Sequence, residues 1–115
     1  MNCFDKTRRL LKKNEYDFVF AKAKKIVNTE FIILYRDNKV GHARLGLALS
    51  KKMIAKAHDR NRVKRLLREA FRTDKHLPSV DMIILARSGV GKVPNLIINA
   101  KLGSAWNKLS SSYDK

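Results

Sequence analysis

The feature that most constrains this chain is a strongly basic amphipathic helix, predicted for residues 60–72. Six of its thirteen residues are Arg or Lys, and only Glu69 is acidic. At the α-helical angle of 100° per residue, its side chains divide into two opposite arcs. The apolar arc comprises Val63, Leu66, Leu67, Ala70 and Phe71. The polar arc comprises Arg60, Asn61, Lys64, Arg65, Arg68 and Arg72. One face can therefore be buried while the other presents fixed positive charge.

The cationic arc of this helix indicates an anionic partner. Like charges four residues apart, such as Lys64 and Arg68, repel each other and destabilise a helix. A solvated surface helix, which is the usual interpretation of a charged helix, leaves that repulsion uncompensated. The run contains no Gly or Pro, and Asp59 precedes it, where a carboxylate can cap free N–H groups. The helix is therefore expected to form and to bind a polyanion.

Composition narrows the class of partner. The chain of 115 residues has a net charge of +16, which favours nucleic acid or an anionic membrane surface. No apolar run approaches the roughly 18 residues that a membrane-spanning helix needs. The single Cys3 cannot form an internal disulfide, and no apolar secretory signal is visible. We therefore expect a single cytoplasmic, nucleic-acid-binding domain over residues 1–115. Its predicted ends are a basic arm at 1–13, which orders on contact with a polyanion, and a short tail at 110–115.

The remaining pattern predicts an α+β fold. The predicted strands are 26–27, 31–36, 44–50 and 82–87, and the other predicted helices are 14–22 and a segment beginning at Pro94. Turn residues between 37 and 41 predict that the strand at 44–50 returns antiparallel, as in a hairpin. The buried side predicted for the last helix comprises Ile98, Leu102, Ala105, Trp106 and Leu109. Helices packed on one face of a mixed sheet then give a two-layer α-β sandwich.

No motif indicates a self-sufficient catalytic site. The run GVGK at residues 89–92 departs from a phosphate-binding P-loop at Ala86, where Gly is required, and at Val93, where Ser or Thr is required. A plain turn between a strand and a helix is the favoured interpretation. The three histidines are scattered and Cys3 stands at no ligand spacing, so no metal site is predicted. The ten acidic residues show no close pairing typical of a two-metal nuclease.

Two aromatic residues of the first predicted helix have alternative interpretations. Tyr16 and Phe20 are four residues apart and so share one side of the helix. Aromatic residues at this spacing are usually part of the core, but they can also flank a groove and contact RNA bases. The spacing alone favours the core. Neighbouring lysines favour the groove, namely Lys12, Lys13, Lys22, Lys24 and Lys25.

Several of these segments together resemble the bacterial ribonuclease P protein subunit. The segment GHARLGLALSKK at residues 41–52, a short link and RNRVKRLLREAFR at 60–72 resemble the strand and signature helix of that family. NEYDFVF at 14–20 is similar to its aromatic first helix, and MIILAR at 82–87 to its late strand. The last helix, with Trp106, extends the resemblance over roughly the whole chain.

The resemblance implies a fold and a division of labour. The implied order is α-β-β-β-α-β-α, with the signature helix in a left-handed crossover between parallel strands, whereas right-handed crossovers are the general rule. A catalytic RNA subunit with Mg²⁺ removes the 5′ leader of precursor tRNA, and the protein, with no cofactor of its own, binds that RNA and the leader. The implied RNA-binding residues are Lys51, Lys52, Arg60, Asn61, Arg62, Lys64, Arg65, Arg68 and Arg72. The implied leader-binding residues are Tyr16, where the family commonly has Phe, Phe20 and Arg87.

Three other functions stay open at the level of sequence. A ribosomal or other structural RNA-binding protein would also be small and basic. A DNA-binding helix-turn-helix protein would need another helix shortly before residues 60–72, where a strand is predicted, so DNA is not an expected partner. A protein-only nuclease would cleave RNA without any RNA subunit.

Overall fold

The computed structural model describes residues 9–10, 13–38, 40–73 and 77–111. Its helices are α1 (Lys13–Ala21), α2 (Ala57–Thr73) and α3 (Asn95–Ser111). Its strands are β1 (Lys24–Val27), β2 (Phe31–Asp37), β3 (Arg44–Ala48) and β4 (Val80–Ala86), and a 3₁₀ turn spans Val90–Lys92. The predicted α+β class and the order α-β-β-β-α-β-α are confirmed. Cys3, His76 and most of the predicted arm and tail lie outside the described residues.

The four strands form one sheet in the order β1-β2-β4-β3. β1 and β2 are antiparallel, as are β2 and β4, whereas β3 and β4 are parallel. The predicted hairpin between β2 and β3 is therefore wrong, although the two strands do run in opposite directions. β4 lies between them because its side chains are buried on both faces of the sheet, which suits a central strand. α2 connects two adjacent parallel strands, as the resemblance implies, and the hand of that crossover stays a prediction.

The main core lies between the sheet and the helices α2 and α3. The helix α2 contributes the fully buried side chains Val63, Leu67 and Phe71. The five apolar residues predicted to line one side of α3 are all buried, which confirms that prediction. The indole nitrogen of Trp106 donates a hydrogen bond to the carbonyl oxygen of Ala70 at 3.3 Å, which fixes α3 alongside α2.

The helix α1 lies on the opposite face of the sheet. Its Val19 is fully buried in a second apolar cluster with Ile83, whereas Met82 and Ile84 belong to the main core. Side chains of a strand alternate between faces, so Ile83 points away from α2 and α3. The prediction that all helices pack on one face is thus corrected. Because β4 is apolar on both faces, both faces of the sheet must be shielded from water by helices.

Two residues of the predicted basic arm lie beside the free edge of β3. Arg9 forms a parallel bridge with Leu45, and the backbone N–H of Leu10 donates to the carbonyl oxygen of Leu45 at 3.0 Å. Leu10 is buried. At these two positions the chain is bonded to the sheet, and the ordering of the arm on contact with a polyanion stays a prediction. Within the described ranges, no helix is long and apolar enough to cross a bilayer.

Candidate nucleic-acid interface

The outward side of α2 carries cations that face solvent. Asn61, Arg65 and Arg68 are exposed, while Val63 and Leu67 on the opposite side are fully buried. Within the part of the chain that the structure describes, the guanidinium groups of Arg65 and Arg68 have no hydrogen-bond or ion-pair partner. The division into two arcs predicted from the sequence is confirmed, and these two charges are available to an external anion.

The first two arginines of the signature are instead engaged by the protein. Nη1 of Arg60 donates to the carbonyl oxygens of Ile54 at 2.9 Å and Ala55 at 3.0 Å. Nη2 of Arg62 donates to the carbonyl oxygen of Gly91 at 2.9 Å, and its Nη1 donates to Oδ1 of Asn95. Arg60 thus fastens the loop before α2, and Arg62 fastens the loop between β4 and α3.

The other predicted RNA-binding residues surround the same helix. Arg72 is half-buried and forms an ion pair with Glu69 of the preceding turn. Lys51 and Lys52 are exposed in the turn between β3 and α2. That turn is closed by the carbonyl oxygen of Ser50, which accepts the N–H of Ile54 at 3.0 Å. The lysines therefore lie shortly before the N-terminal end of α2.

A small groove joins α2 to the first helix across the β3 edge of the sheet. It has a volume of about 180 Å³ and is lined by Tyr16, Lys64, Arg68, Arg9, Leu10, Leu45 and Leu47. A Cβ atom at Gly46 would lie 2.9 Å from the ring of Tyr16, so the ring rests directly on the strand. The structure therefore brings Tyr16, predicted to bind the leader, together with Lys64 and Arg68, predicted to bind RNA.

Phe20 is not a core residue. Its side chain is 49% exposed, and the neighbouring Val19 occupies the core position of α1. Tyr16 is half-buried, so its ring both packs on the sheet and borders the groove. The third aromatic residue of α1, Phe18, lies under the guanidinium group of Arg36, 3.8 Å from the ring centroid. The core interpretation is thus excluded for Phe20.

Arg87 lies apart from that groove. It follows the last residue of β4 and is exposed. Its Nη1 donates to the carbonyl oxygen of Asn28 at 2.9 Å, and its backbone N–H donates to that of Glu30 at 2.9 Å. These contacts place Arg87 beside the turn between β1 and β2, and it is not among the residues that line the groove next to Tyr16.

A buried ion-pair network, which sequence reasoning missed, anchors α1 to the sheet. Nε and Nη2 of Arg44 donate to Oδ1 and Oδ2 of Asp81 at 2.7 Å and 2.6 Å, and Nη1 donates to Oε2 of Glu15 at 3.0 Å. Asp81 is fully buried and also accepts from Nδ2 of Asn38 at 2.8 Å. The hydrogen bonds that Arg44 donates to Asp81, together with the negative charges of Asp81 and Glu15, raise the pKa of Arg44. An aspartate within the apolar run of β4 was the signal for this network.

The described residues hold no group of three or more His, Cys, Asp or Glu side chains that could bind a metal ion. Two carboxylates between α1 and the sheet, Glu15 and Asp81, are held by Arg44. The arrangement is suited to binding an extended polyanion.

Comparison with known proteins gives one consistent result. The family model described as Ribonuclease P matches residues 4–110. The chain is 65% identical over 115 residues to the ribonuclease P protein component of Legionella pneumophila (strain Corby), with all of both chains covered. The fold is similar to the RNase P protein of Staphylococcus aureus, with a TM-score of 0.81, 30% identity and coverage of 90% of this chain and 94% of that one. It is also similar to the RNase P protein from Thermotoga maritima, with a TM-score of 0.77, 28% identity and coverage of 87% and 96%.

Proposed function

The chain belongs to the ribonuclease P protein family, and we propose that it binds both the catalytic RNA subunit and the 5′ leader of precursor tRNA. Membership makes it a component of a tRNA-processing ribonucleoprotein. The observation that carries the proposal is the exposed face of α2, where Arg65 and Arg68 have no partner among the described residues. The cytoplasmic location stays a prediction.

The face of α2 binds RNA through its phosphates. Arg and Lys side chains neutralise phosphates and release condensed counterions, which supplies affinity with little dependence on base sequence. We assign this role to the exposed Arg65 and Arg68, with Asn61 beside them. Arg60 and Arg62 add positive charge while they hold the loop before α2 and the loop between β4 and α3. A binding mode of this kind suits an RNA subunit of defined shape and precursors with many different leaders.

The leader follows the side of α1 that carries Tyr16 and Phe20. The half-exposed ring of Phe20 can stack on a base, and such contacts tolerate any base because each has a π-face. Lys64 and Arg68 border the groove beside Tyr16, where they can meet the backbone of the same strand. Arg87 is two residues beyond Leu85, and alternation along an extended strand would place it on the same side of the sheet as α1. In this proposal it contacts a more distant leader nucleotide.

The RNA subunit carries out the cleavage. Hydrolysis of a phosphodiester by the protein would require a base or metal-binding carboxylates at the surface. Glu15 and Asp81 are instead held by Arg44, and Glu69 by Arg72. We assign no step to a metal bound by the protein. Neutralisation of RNA charge by the protein lowers the concentration of Mg²⁺ that the holoenzyme requires.

Reconstitution tests this function. Purified protein is combined with a ribonuclease P RNA and precursor tRNA, and cleavage at the leader junction is measured as a function of Mg²⁺ concentration. We expect the protein to stimulate cleavage most strongly at low Mg²⁺, and the protein alone to be inert. Cleavage by RNA-free protein would instead indicate a protein nuclease.

The main alternative is a ribosomal or other structural RNA-binding protein. Such a protein would bind RNA with a similar salt dependence but would not stimulate precursor cleavage. The helix-turn-helix alternative loses support, because the element before α2 is the strand β3 and not a helix.

A further inference from the structure

The loop between β4 and α3 is fastened to the N-terminal half of α2. Arg62 reaches across from α2 and donates to the carbonyl oxygen of Gly91 at 2.9 Å and to Oδ1 of Asn95, the first residue of α3. The two hydrogen bonds use different nitrogen atoms of one guanidinium group. They hold the loop and the start of α3 in a single position relative to α2.

The same loop is also held by packing against Ile54 and Asp59. Val90 is buried, and a Cβ atom at Gly91 would lie 3.0 Å from Cγ2 of Ile54 and 3.4 Å from Cβ of Asp59. The preceding Gly89 has a φ of +90°, a conformation that glycine adopts without strain. The sequence GVGK therefore forms a tight 3₁₀ turn that is pressed against the start of α2.

This turn carries an exposed lysine to the edge of the cationic face. Lys92 follows Gly91 directly, is exposed, and has no ion-pair partner among the residues that the structure describes. The loop follows the carboxyl end of β4, and Lys51 and Lys52 follow the carboxyl end of β3, which is parallel to β4. Both loops therefore emerge at the same end of the sheet, where β3 and β4 have their carboxyl ends. The loop between β3 and α2 adds a third exposed lysine, Lys56.

We propose that Lys92 is a further RNA-binding residue, and that Arg62 is the positioning residue that holds it in the interface. The ligand is a phosphate of the RNA subunit, so this inference rests on the proposed function. Asp59, in the first turn of α2, is an acidic residue that packs against the loop, and its side chain lies next to Gly91. The outer side of the loop presents Lys92.

Replacement of Lys92 by Ala tests the proposal, with Lys108→Ala as the matched control. Both lysines are exposed, but Lys108 lies near the end of α3 and borders a hollow beside Ile26 and Val27 of β1. Affinity for ribonuclease P RNA is measured between 50 and 200 mM salt. We define the salt slope as the magnitude of the negative slope of log K against log salt. Loss of one phosphate contact should lower it by roughly 0.7 to 0.9. The affinity loss of Lys92→Ala should then be about threefold larger at the low end of that range than at the high end. Lys108→Ala should leave the slope unchanged.

A second arm tests the role of Arg62. The substitution Arg62→Lys keeps the positive charge but removes the two-pronged contact with Gly91 and Asn95. In that background, Lys92→Ala should lower the salt slope much less than it does in the native protein, because Lys92 is no longer held in place. Equal effects of Lys92→Ala in both backgrounds would overturn the positioning role.

Arg65→Ala separates this inference from the proposed function. If Arg65→Ala lowers the slope while Lys92→Ala behaves like Lys108→Ala, the assignment of Lys92 is wrong and the face of α2 remains the RNA-binding surface. If Arg65→Ala also leaves the slope unchanged, both proposals are overturned.

Discussion

Arginines in two regions of this protein differ in role: one is paired within the fold, and the others face solvent. Arg44 lies between α1 and the sheet, where its guanidinium group bonds to Asp81 and Glu15 and anchors the first helix. Arg65 and Arg68 lie on the outer face of α2 and have no partner among the described residues. The side chain is the same in both regions. Its role is decided by whether the fold supplies an acceptor, and where the fold supplies none an external phosphate can.

Arg60 and Arg62 stand between these extremes. Each donates to backbone carbonyl oxygens, which are neutral, so its charge is not cancelled by a carboxylate. Their side chains are half-buried. The basic residues of one helix thus differ: some are held by acceptors within the fold, and others are exposed and can meet an external anion.

Removal of Arg44 should have the largest effect on stability. Arg44→Ala leaves the carboxylate of Asp81 buried, with Asn38 as its one remaining side-chain partner among the described residues, so the free energy of unfolding should fall by about 3–5 kcal/mol. Urea denaturation measures this. Glu15→Gln is the control, since Glu15 is 23% exposed and its replacement keeps a hydrogen-bond acceptor. A loss below about 1 kcal/mol for Arg44→Ala would show that the network is not an anchor.

The pH dependence of this anchor has a defined sign. Pairing raises the pKa of Arg44 in the folded state. The stabilisation is therefore fully present below the unfolded pKa and is lost only as pH rises through the folded value. The titration of Arg44 should not alter stability near neutral pH, and unfolding measured at pH 6 to 9 should show no such change.

Arg62→Ala should affect stability more than Arg65→Ala. Arg62 makes hydrogen bonds to Gly91 and Asn95. A hydrogen bond that involves a charged group contributes about 1.5–3 kcal/mol to stability. Arg65 is exposed, so its removal should change stability by no more than about 0.5 kcal/mol. Thermal denaturation of the two variants provides the measurement. Equal melting temperatures would mean that Arg62 does not hold the loop.

Phe20→Ala should weaken binding of precursors with long leaders about tenfold to a hundredfold, because stacking on one base contributes about 1–3 kcal/mol. Binding of precursors with very short leaders should be nearly unchanged. Affinity is measured against leader length, together with thermal stability. Phe18→Ala is the control, because the ring of Phe18 already packs against the guanidinium group of Arg36. This variant should show no dependence on leader length. A uniform loss with Phe20→Ala that tracks a lower melting temperature would contradict the leader-binding role.

The smallest effect should come from single exposed cations of α2. Arg65→Ala or Arg68→Ala should each lower the salt slope of RNA-subunit binding by roughly 0.7 to 0.9 with little change in melting temperature. Arg72→Ala should lower the slope less, because Glu69 already pairs with Arg72 in the free protein. If all three variants lower the slope equally, intramolecular pairing does not limit phosphate binding.

The sequence by itself determined the elements and the two faces of the basic helix. Apolar spacing predicted the buried residues of α3 without error, and the arcs of α2 were predicted correctly, because helical periodicity is a local property. The resemblance to the ribonuclease P protein supplied the family and its candidate residues. The half-exposed position of Phe20 could not be predicted, since residues four apart share a helix side whether that side is buried or open.

Only the tertiary structure decided which strands pair and which arginines find partners. The turn after β2 suggested a hairpin, but β4 enters between β2 and β3 because it is apolar on both faces and needs a neighbour at each edge. The acceptors of Arg44 and Arg62 come from segments distant in the chain, at Asp81 and Gly91. Local periodicity carries no information about such contacts. Whether a basic residue anchors the fold or stays exposed to solvent therefore depends on long-range packing.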